Sequence, residues 1–532
     1  MGWKPMPRIL TMRILAVLVA LVVVLALPFA LKPKKNLLAD ADETLVIISP
    51  HNEAIRFEFS SAFAQYYKAK TGRTVRVDWR IVGGTSEIAR YLQGEFYNAF
   101  KRHWTASGQE WTDEVAKAFT TTAPSPARES FLASQAGIGI DLFFGGGAYD
   151  FIAQAKAGNL VDSGIIAAHP DWFTDASIPM SVSGEPYYDE QGRWIGTCLS
   201  AFGICYNTDS LVRLGVDTLP ASWNDLTNPK FAHQVALADP TKSGSIAKAF
   251  EMVIQQQMQE VVAAGSGSGE ATEAELAEGW QRGLQLLMKA SANSRYFSDA
   301  AGKVPMDVSL GDAAIGMCID FYGRFQSESV KIGEAPSRLQ YFTPLGGSSV
   351  GVDPIGMLRG APSPELAREF IAFVLSLEGQ KLWNFRVGTP GGPTRYALRR
   401  LPIRKELYAP EFTAFRSDAQ TLPYEEARSF TYHEAWTGPL FSALRFIIRV
   451  SCIDSHDEQT AAWRALIAAN FPPEATAAFS DISAIDYATA KNEIRPSLKG
   501  STPLAEVQLA ARLGEHFRAQ YRRATQLAKE GK

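Results

Sequence analysis

The chain has 532 residues, 46% of them hydrophobic and 20% charged, with a formal net charge of −3. That length allows two or three domains with sizeable cores, and the near-neutral charge gives no whole-chain argument for a nucleic-acid partner. With 11 Trp, 17 Tyr and 30 Phe the chain is not disordered over most of its length, and Cys198, Cys205, Cys318 and Cys452 form neither a CxxC pair nor a zinc spacing, which leaves buried thiols.

At the amino terminus Lys4, Arg8 and Arg13 precede an uninterrupted apolar run from Ile14 to Leu31, and Lys32, Lys34 and Lys35 follow it. A basic front before an apolar core is an export signal, and the run is about long enough to span a bilayer. No clear small-x-small cleavage site and no lipobox cysteine lies just after it. Residues 1–42 are therefore expected to be a signal peptide or a membrane anchor with a short acidic linker. The remainder is expected to be periplasmic or otherwise extracytoplasmic.

Thr44–Ser49 (TLVIIS) predicts a strand and Pro50–Glu53 a turn. A helix bearing Phe57, Phe63 and Tyr66 follows and stops at Gly72. Thr74–Ile81 alternates Val75, Val77, Trp79 and Ile81 as a second strand, followed by a polar turn at Gly83–Ser86 and a helix from Glu87. Helix continues irregularly to Ala127, broken by Pro124 and Pro126. Asp141–Phe144 is a third strand, running into Gly145–Gly147 and a helix over Ala148–Ala157. Repeated strand, small turn and helix predict an α/β sheet of mostly parallel strands, with ligands at the strand carboxyl ends. Tyr187 and Tyr188 read as part of a surface hairpin, Gly184–Gly192. Gly196–Asn207 (GTCLSAFGICYN) reads as one long strand crossing between lobes, on which Cys198 and Cys205 face opposite sides.

Ala236–Ser245 (ALADPTKSGS) reads as strand, turn and helix start, with Asp239-Pro240 marking the turn. Ile246, Ala249, Phe250, Val253 and Ile254 continue at helical spacing. Thr241, Ser243 and Ser245 set hydroxyls beside Gly244, and the unpaired N–H groups of a first helical turn suit an oxyanion. The alternative is an ordinary connection with serine as N-cap. Gly265–Gly269 is a flexible loop. Ala313–Tyr322 is a buried strand ending in Asp320-Phe321-Tyr322-Gly323-Arg324, and Val350–Leu358 is a strand interrupted by Asp353-Pro354. Pro364 opens a helix with Leu366, Phe370, Phe373, Val374 and Leu377 on its apolar face. From Leu401 the pattern is helical, ending in a solvated helix over Gln508–Lys529.

The chain has no nucleophile elbow, no Walker-type phosphate loop and no HExxH. Its chemistry-bearing features are small turns: Ser49–His51, Gly84-Thr85-Ser86, Gly146 with its neighbours, and Asp239–Ser245. Such turns hold a small anion or polar solute without transforming it.

The order TLVIISPHNE, GGTSEI, DLFFGGG, GTCLSAFGICYN, LPASWNDLTNPKFAHQVALADPTKSGS, AIGMCIDFYGR and SPELAREFIAFVLSLEGQKLW resembles the extracellular solute-binding proteins of ABC importers. It is most similar to their ferric-iron-binding branch, over roughly Thr44–Thr394. The resemblance implies a type 2 periplasmic-binding-protein fold of two α/β lobes with a cleft and crossing strands. The lobes would be 43–200 with 330–400, and 201–329. An N-terminal hydrophobic helix would precede them and a mostly helical region, 401–532, would pack on them. It further implies a monomer without catalysis, with a membrane permease as partner and no nucleic acid. The ligand contacts expected are Ser49, His51, Gly84, Thr85, Ser86, Gly146, Asp239, Thr241, Ser243, Gly244, Ser245, Asp320, Tyr322 and Arg324. His51, Asp320 and Tyr322 are the candidate metal ligands, with Fe³⁺ as the transported metal. Ferric-binding relatives have two adjacent tyrosines where this chain has Phe321-Tyr322, and often a carboxylate where it has Gly145. Hard Fe³⁺ prefers anionic oxygens, so phosphate- or phosphonate-type solutes stand beside iron. A membrane-anchored solute sensor and an extracellular phosphate-ester hydrolase are the other readings.

Overall fold

The computed structural model describes residues 41–121, 124–265, 270–333, 335–500 and 503–532. The apolar run Ile14–Leu31 and most of the Gly265–Gly269 loop lie outside the described residues. Among those described, no helix is long and apolar enough to cross a membrane. Two compact units are distinguished. The smaller comprises, among described residues, 41–44 and 64–76. Within it the Asp42 carboxylate accepts from the Thr74 N–H at 2.7 Å and the Thr74 hydroxyl at 2.8 Å, and Arg73 pairs with Glu43 at 2.6 Å. The larger unit is Leu45–Phe63 with Val77–Lys532.

The strands in chain order are β1 (Glu43–Ile48), β2 (Val75–Arg80), β3 (Leu142–Phe144), β4 (Leu160–Val161), β5 (Ser181–Val182), β6 (Glu185–Pro186), β7 (Ile195–Ser200), β8 (Phe202–Asn207), β9 (Val235–Ala238), β10 (Ser294–Ser298), β11 (Ile315–Ile319), β12 (Leu339–Phe342), β13 (Gly351–Leu358) and β14 (Leu401–Pro402). One sheet has the order β14-β7-β13-β3-β1-β2 with β4 also on β13, a second has β10-β9-β11-β8-β12, and β5 and β6 form a small hairpin. Gly196–Asn207 does pass from one sheet to the other, but as two strands parted at Ala201 and not as one, so Cys198 and Cys205 belong to different sheets. The chain passes between the sheets again from β12 to β13.

A strand that arrives from the other sheet runs against its new neighbours. β8 is antiparallel to β11, and β13 is antiparallel to β3 and β7. Parallel pairing is confined, among the described registers, to β1 with β3 and to β9 with β10 and β11. The sheets are thus mixed, not mostly parallel. Every residue of β7 and β8 is buried, which is why both read as continuous apolar runs without alternation.

The helices that bear on the site are α1 (Glu53–Thr71), α2 (Thr85–Ala106), α3 (Ala148–Ala157), α4 (Gly244–Ala264), α5 (Glu273–Ala292), α6 (Asp320–Ser329), α7 (Pro364–Leu375), α8 (Leu377–Asn384), α9 (Phe441–Ile448), α10 (His456–Ala468) and α11 (Pro503–Glu530). The helix opened by Pro364 does not run through Leu377. It ends at Ser376, whose hydroxyl accepts from the Gly379 N–H and starts α8. Tyr187 is not on a surface turn. It is fully buried, and its hydroxyl donates to the Val350 carbonyl at 3.1 Å. The terminal helix α11 is not solvated all round, since Phe517 and Tyr521 are buried and Tyr521 donates to the Ser451 carbonyl at 2.8 Å.

The region after Leu401 shares its apolar core with the second sheet. Leu444, Ile447, Trp463 and Phe479 join one buried cluster with Phe250, Ile254 and Trp280 of α4 and α5. The indole N–H of Trp280 donates to the Ile485 carbonyl at 3.0 Å, and that of Trp463 donates to the Asn293 side-chain oxygen at 2.6 Å. Trp280→Ala is expected to lower stability by about 3–5 kcal/mol, the usual range for an aromatic emptied from a packed core, read as a reduced midpoint in urea unfolding. A loss under about 1 kcal/mol would mean that the contact is not part of the cooperative core.

Candidate functional site

A cavity of about 1560 Å³ opens where the strand carboxyl ends turn into helices. Pro50, His51 and Asn52 lead from β1 into α1. Gly84 and Thr85 open α2, and Gly147 and Ala148 open α3. Ser243, Gly244 and Ser245 open α4, and Phe321 and Tyr322 open α6. All of these line the cavity. Several helix N-termini therefore face one space, each with unpaired N–H groups and the positive end of a helix dipole.

The residues expected from sequence divide into two groups. His51, Gly84, Thr85, Gly146, Ser243, Gly244, Ser245 and Tyr322 line the cavity. Ser49, Ser86, Asp239, Thr241, Asp320 and Arg324 do not, and they hold the walls. The Ser49 hydroxyl accepts from the His51 N–H at 3.0 Å. Asp239 accepts from the Thr241 N–H at 2.8 Å and its hydroxyl at 2.7 Å, which closes the turn before α4. Ser243 caps α4 through the Ile246 N–H. Asp320 accepts from the Phe321 N–H at 2.8 Å and pairs with Arg324 at 3.1 Å; Asp320 is buried, Arg324 is half-buried, and neither lines the cavity. Ser86 and Thr241 line a second, adjoining cavity of about 800 Å³.

At the back of the main cavity lies a cation that the sequence reading missed. Arg400 is 2% exposed, ion-paired with Asp353, and its Nη1 is 3.4 Å from His51 Nε2. Its Nη2 donates to the Ser200 hydroxyl at 3.0 Å, and its guanidinium lies 4.1 Å from the Phe321 ring centroid. His51 Nε2 is 3.2 Å from Asp353 Oδ2. Asp353 also accepts from the Gly146 N–H at 2.8 Å. Burial alone would raise the Asp353 carboxyl, but Arg400, His51 and that N–H outweigh it and hold it below the usual range. Burial pushes His51 down, against the pull of Asp353, so the imidazole is neutral near pH 7. Burial also pushes the Tyr322 phenol up. The Arg400 charge acts on Asp320 and Tyr322 as well. Of the three candidate metal ligands, His51 thus touches a guanidinium belonging to the protein, and Asp320 and Tyr322 feel its charge. Among the described residues no group of three or more His, Cys, Asp or Glu could hold a metal ion. At Gly145 φ is +101° and a Cβ would lie 2.7 Å from His51 Nε2. A carboxylate side chain therefore does not fit there beside His51.

Other unforeseen groups come from α4 and from the region after Leu401. Lys248 on α4 is held by Glu185 at 3.1 Å and Glu251 at 3.0 Å, with its ammonium 3.3 Å from the Tyr432 ring centroid. Burial alone would lower it, but the two carboxylates keep it charged. Tyr432, Phe441 and Ser442 line the cavity. Nothing in the composition of residues 401–532 marks them as cleft residues. Asp353 did carry a signal: an Asp-Pro step inside an apolar strand implies a bulge, and β13 shifts register at Asp353/Pro354.

The family model described as bacterial extracellular solute-binding protein matches residues 139–417. An uncharacterised protein of Haemophilus influenzae is 25% identical over 243 residues, 46% of this chain and 60% of its own length. The phosphoglycerate transport regulatory protein PgtC of Salmonella typhimurium is 22% identical over 188 residues, 35% of this chain and 40% of its own. The match thus spans three-fifths or less of each of these relatives. Similar solved structures include the periplasmic binding protein AfuA from Actinobacillus pleuropneumoniae with fructose-6-phosphate bound, at 17% identity, 69% and 86% coverage and a TM-score of 0.46. Iron-bound HitA from Pseudomonas aeruginosa is 17% identical, with 76% and 98% coverage and a TM-score of 0.47.

Asp150, on the first turn of α3, gives the site a measurable pH signature. Burial pushes its carboxyl up to about 6, against the pull of Arg445 and a bond to Thr85. A carboxyl raised above its ordinary 3.8 in the folded state contributes stability that is fully present below about pH 4 and lost as pH rises through about 6. Asp150→Asn is expected to flatten the stability profile across that window, leaving the variant more stable than the parent at pH 7.5 by up to about 3 kcal/mol. Equal pH slopes in urea unfolding of the two proteins would remove Asp150 as a titrating group.

Proposed function

Because this chain belongs to the bacterial extracellular solute-binding proteins, we propose that it is the capture component of an ABC-type importer for a small phosphorylated or otherwise anionic solute. It is a binding protein and not an enzyme, works outside the cytoplasm, and hands its solute to a membrane permease. In this reading the two sheets are the lobes of a type 2 binding fold and the cavity between their turns is the solute cleft.

The convergence of the first turns of α2, α3 and α4 on one cavity carries the anionic reading. The charged side chains around it are largely engaged with one another: Arg400 with Asp353, Lys248 with Glu185 and Glu251, Lys242 with Asp299, and Lys303 with Asp307. Solute affinity then comes from N–H groups of the first turns and from the hydroxyls of Thr85, Ser243 and Ser245. Ferric iron ranks second. A guanidinium already stands beside His51 and acts on Asp320 and Tyr322. The surroundings of Tyr322 push its phenol away from the phenolate that a hard cation takes.

A sensing role has one observation in its favour, the similarity to a protein named for the regulation of phosphoglycerate transport. Affinity capture from membranes separates the roles: a permease supports capture for import, and recovery of a histidine kinase alone supports sensing.

Thermal-shift screening of the purified protein against inorganic phosphate, sugar phosphates, phosphoglycerate, phosphonates and ferric salts tests the ligand class. At 100 times the dissociation constant a true ligand adds about 2.7 kcal/mol, a rise of a few degrees in Tm for a chain of this size. A rise with ferric salts and with none of the phosphorylated compounds would exchange the anionic reading for iron.

A further inference from the structure

The turn after β2 and the turn after β9 belong to different sheets, and they touch. A Cβ at Gly84 would lie 3.0 Å from the Lys242 carbonyl oxygen, and one at Gly244 would lie 2.8 Å from the Thr85 hydroxyl. Arg445 of α9 lies across this contact. Its Nε donates to the Pro240 carbonyl at 2.7 Å, and its Nη2 donates to the Thr241 carbonyl at 2.8 Å and the Ser86 hydroxyl at 2.5 Å. The same helix reaches the turn that opens α3. The Ser442 and Tyr149 hydroxyls are 3.0 Å apart, and the Phe441 and Tyr149 ring centroids are 4.5 Å apart. One short helix from the carboxyl-terminal region therefore grips three of the turns that line the cavity, from both sheets. The planar guanidinium suits the task, because its donors lie in a fixed fork that can meet acceptors on both turns at once.

We infer that Arg445 is a positioning residue of the solute site, holding the turns of the two sheets together before any solute arrives. Its purpose rests on the reading of the cavity as a solute site, but the clasp itself is independent of which solute binds. Holding the N–H groups of α2 and α4 at fixed spacing moves an ordering cost from binding to folding, so the site is preorganised on this side. The free protein then opens little there.

The test measures the distance between the two sides in the full chain. All four native cysteines are buried, so spin labels attach to introduced ones. Asn98→Cys on α2 and Gln281→Cys on α5 are both exposed positions. Pulsed electron resonance is expected to give one narrow distance distribution for the parent, unchanged by inorganic phosphate. Arg445→Ala is expected to broaden it and shift it to longer distance in the absence of phosphate, and Arg445→Lys to fall between the two. An Arg445→Ala distribution as narrow as the parent's, with circular dichroism unchanged, would overturn the inference. Should Arg445→Ala fail to fold, Ser86→Ala removes one of the three bonds and should broaden the distribution to a smaller degree, and no broadening there overturns the inference equally. If no phosphorylated solute raises Tm but Arg445→Ala still broadens the distribution, the solute reading fails and the clasp stands.

Discussion

Arg400, 2% exposed, touches Asp353 of β13, Ser200 of β7, His51 before α1 and the ring of Phe321 at the start of α6. A full charge in that position survives only with its partners in place, since removing one partner of a buried pair strands the other. The elements it joins come from both sheets and from the stretch after α8, so their mutual positions follow from this single cation. Glu58 of α1 secures the delivery: its carboxylate accepts from the backbone N–H groups of Thr394, Arg395 and Tyr396, each at 2.7 Å. The segment that carries Arg400 is thus pinned just upstream, and Arg400 N–H donates to the Trp383 carbonyl.

This arrangement also shapes what the cavity can accept. A permanent positive charge at the back, balanced by Asp353, leaves a neutral histidine in front of it and a cluster of helix N-termini around the opening. Field lines in such a cavity come from dipoles and N–H groups more than from free side-chain charges. The resident guanidinium and the missing side chain at Gly145 belong together, because the glycine brings the backbone against the imidazole that Arg400 also touches.

Local signals carried the sequence reading a long way. Short apolar runs followed by small polar turns located β1, β3, β9 and β11 and the helix starts after them, because a strand end and a helix cap are written within a few residues. What the sequence did not disclose is pairing at long range. His51 and Asp353 are 302 positions apart, and Ser86 and Arg445 are 359 apart. No periodicity connects such residues. The crossing expected over Gly196–Asn207 is there, but the break at Ala201 is not legible, because an apolar run buried on both faces looks the same whether it crosses as one strand or as two. The helical pattern expected from Leu401 holds only from Phe441 on, since 401–433 is a short strand, brief turns and irregular chain. Neither Tyr432 on that irregular chain nor Phe441 and Arg445 on their helix carry a local mark of a cavity wall.

The four buried cysteines have a consequence under the extracytoplasmic location proposed above. Only a thiolate attacks a disulfide or an oxidant readily, and burial pushes the Cys198, Cys318 and Cys452 thiols up and away from that form. The folded protein therefore keeps these three thiols inert without pairing them. The unfolded chain has no such shelter, and Cys198 and Cys205, seven residues apart, are then free to meet. Oxidative damage in an oxidising compartment is accordingly decided by a race between collapse of the two sheets and chemistry at sulfur.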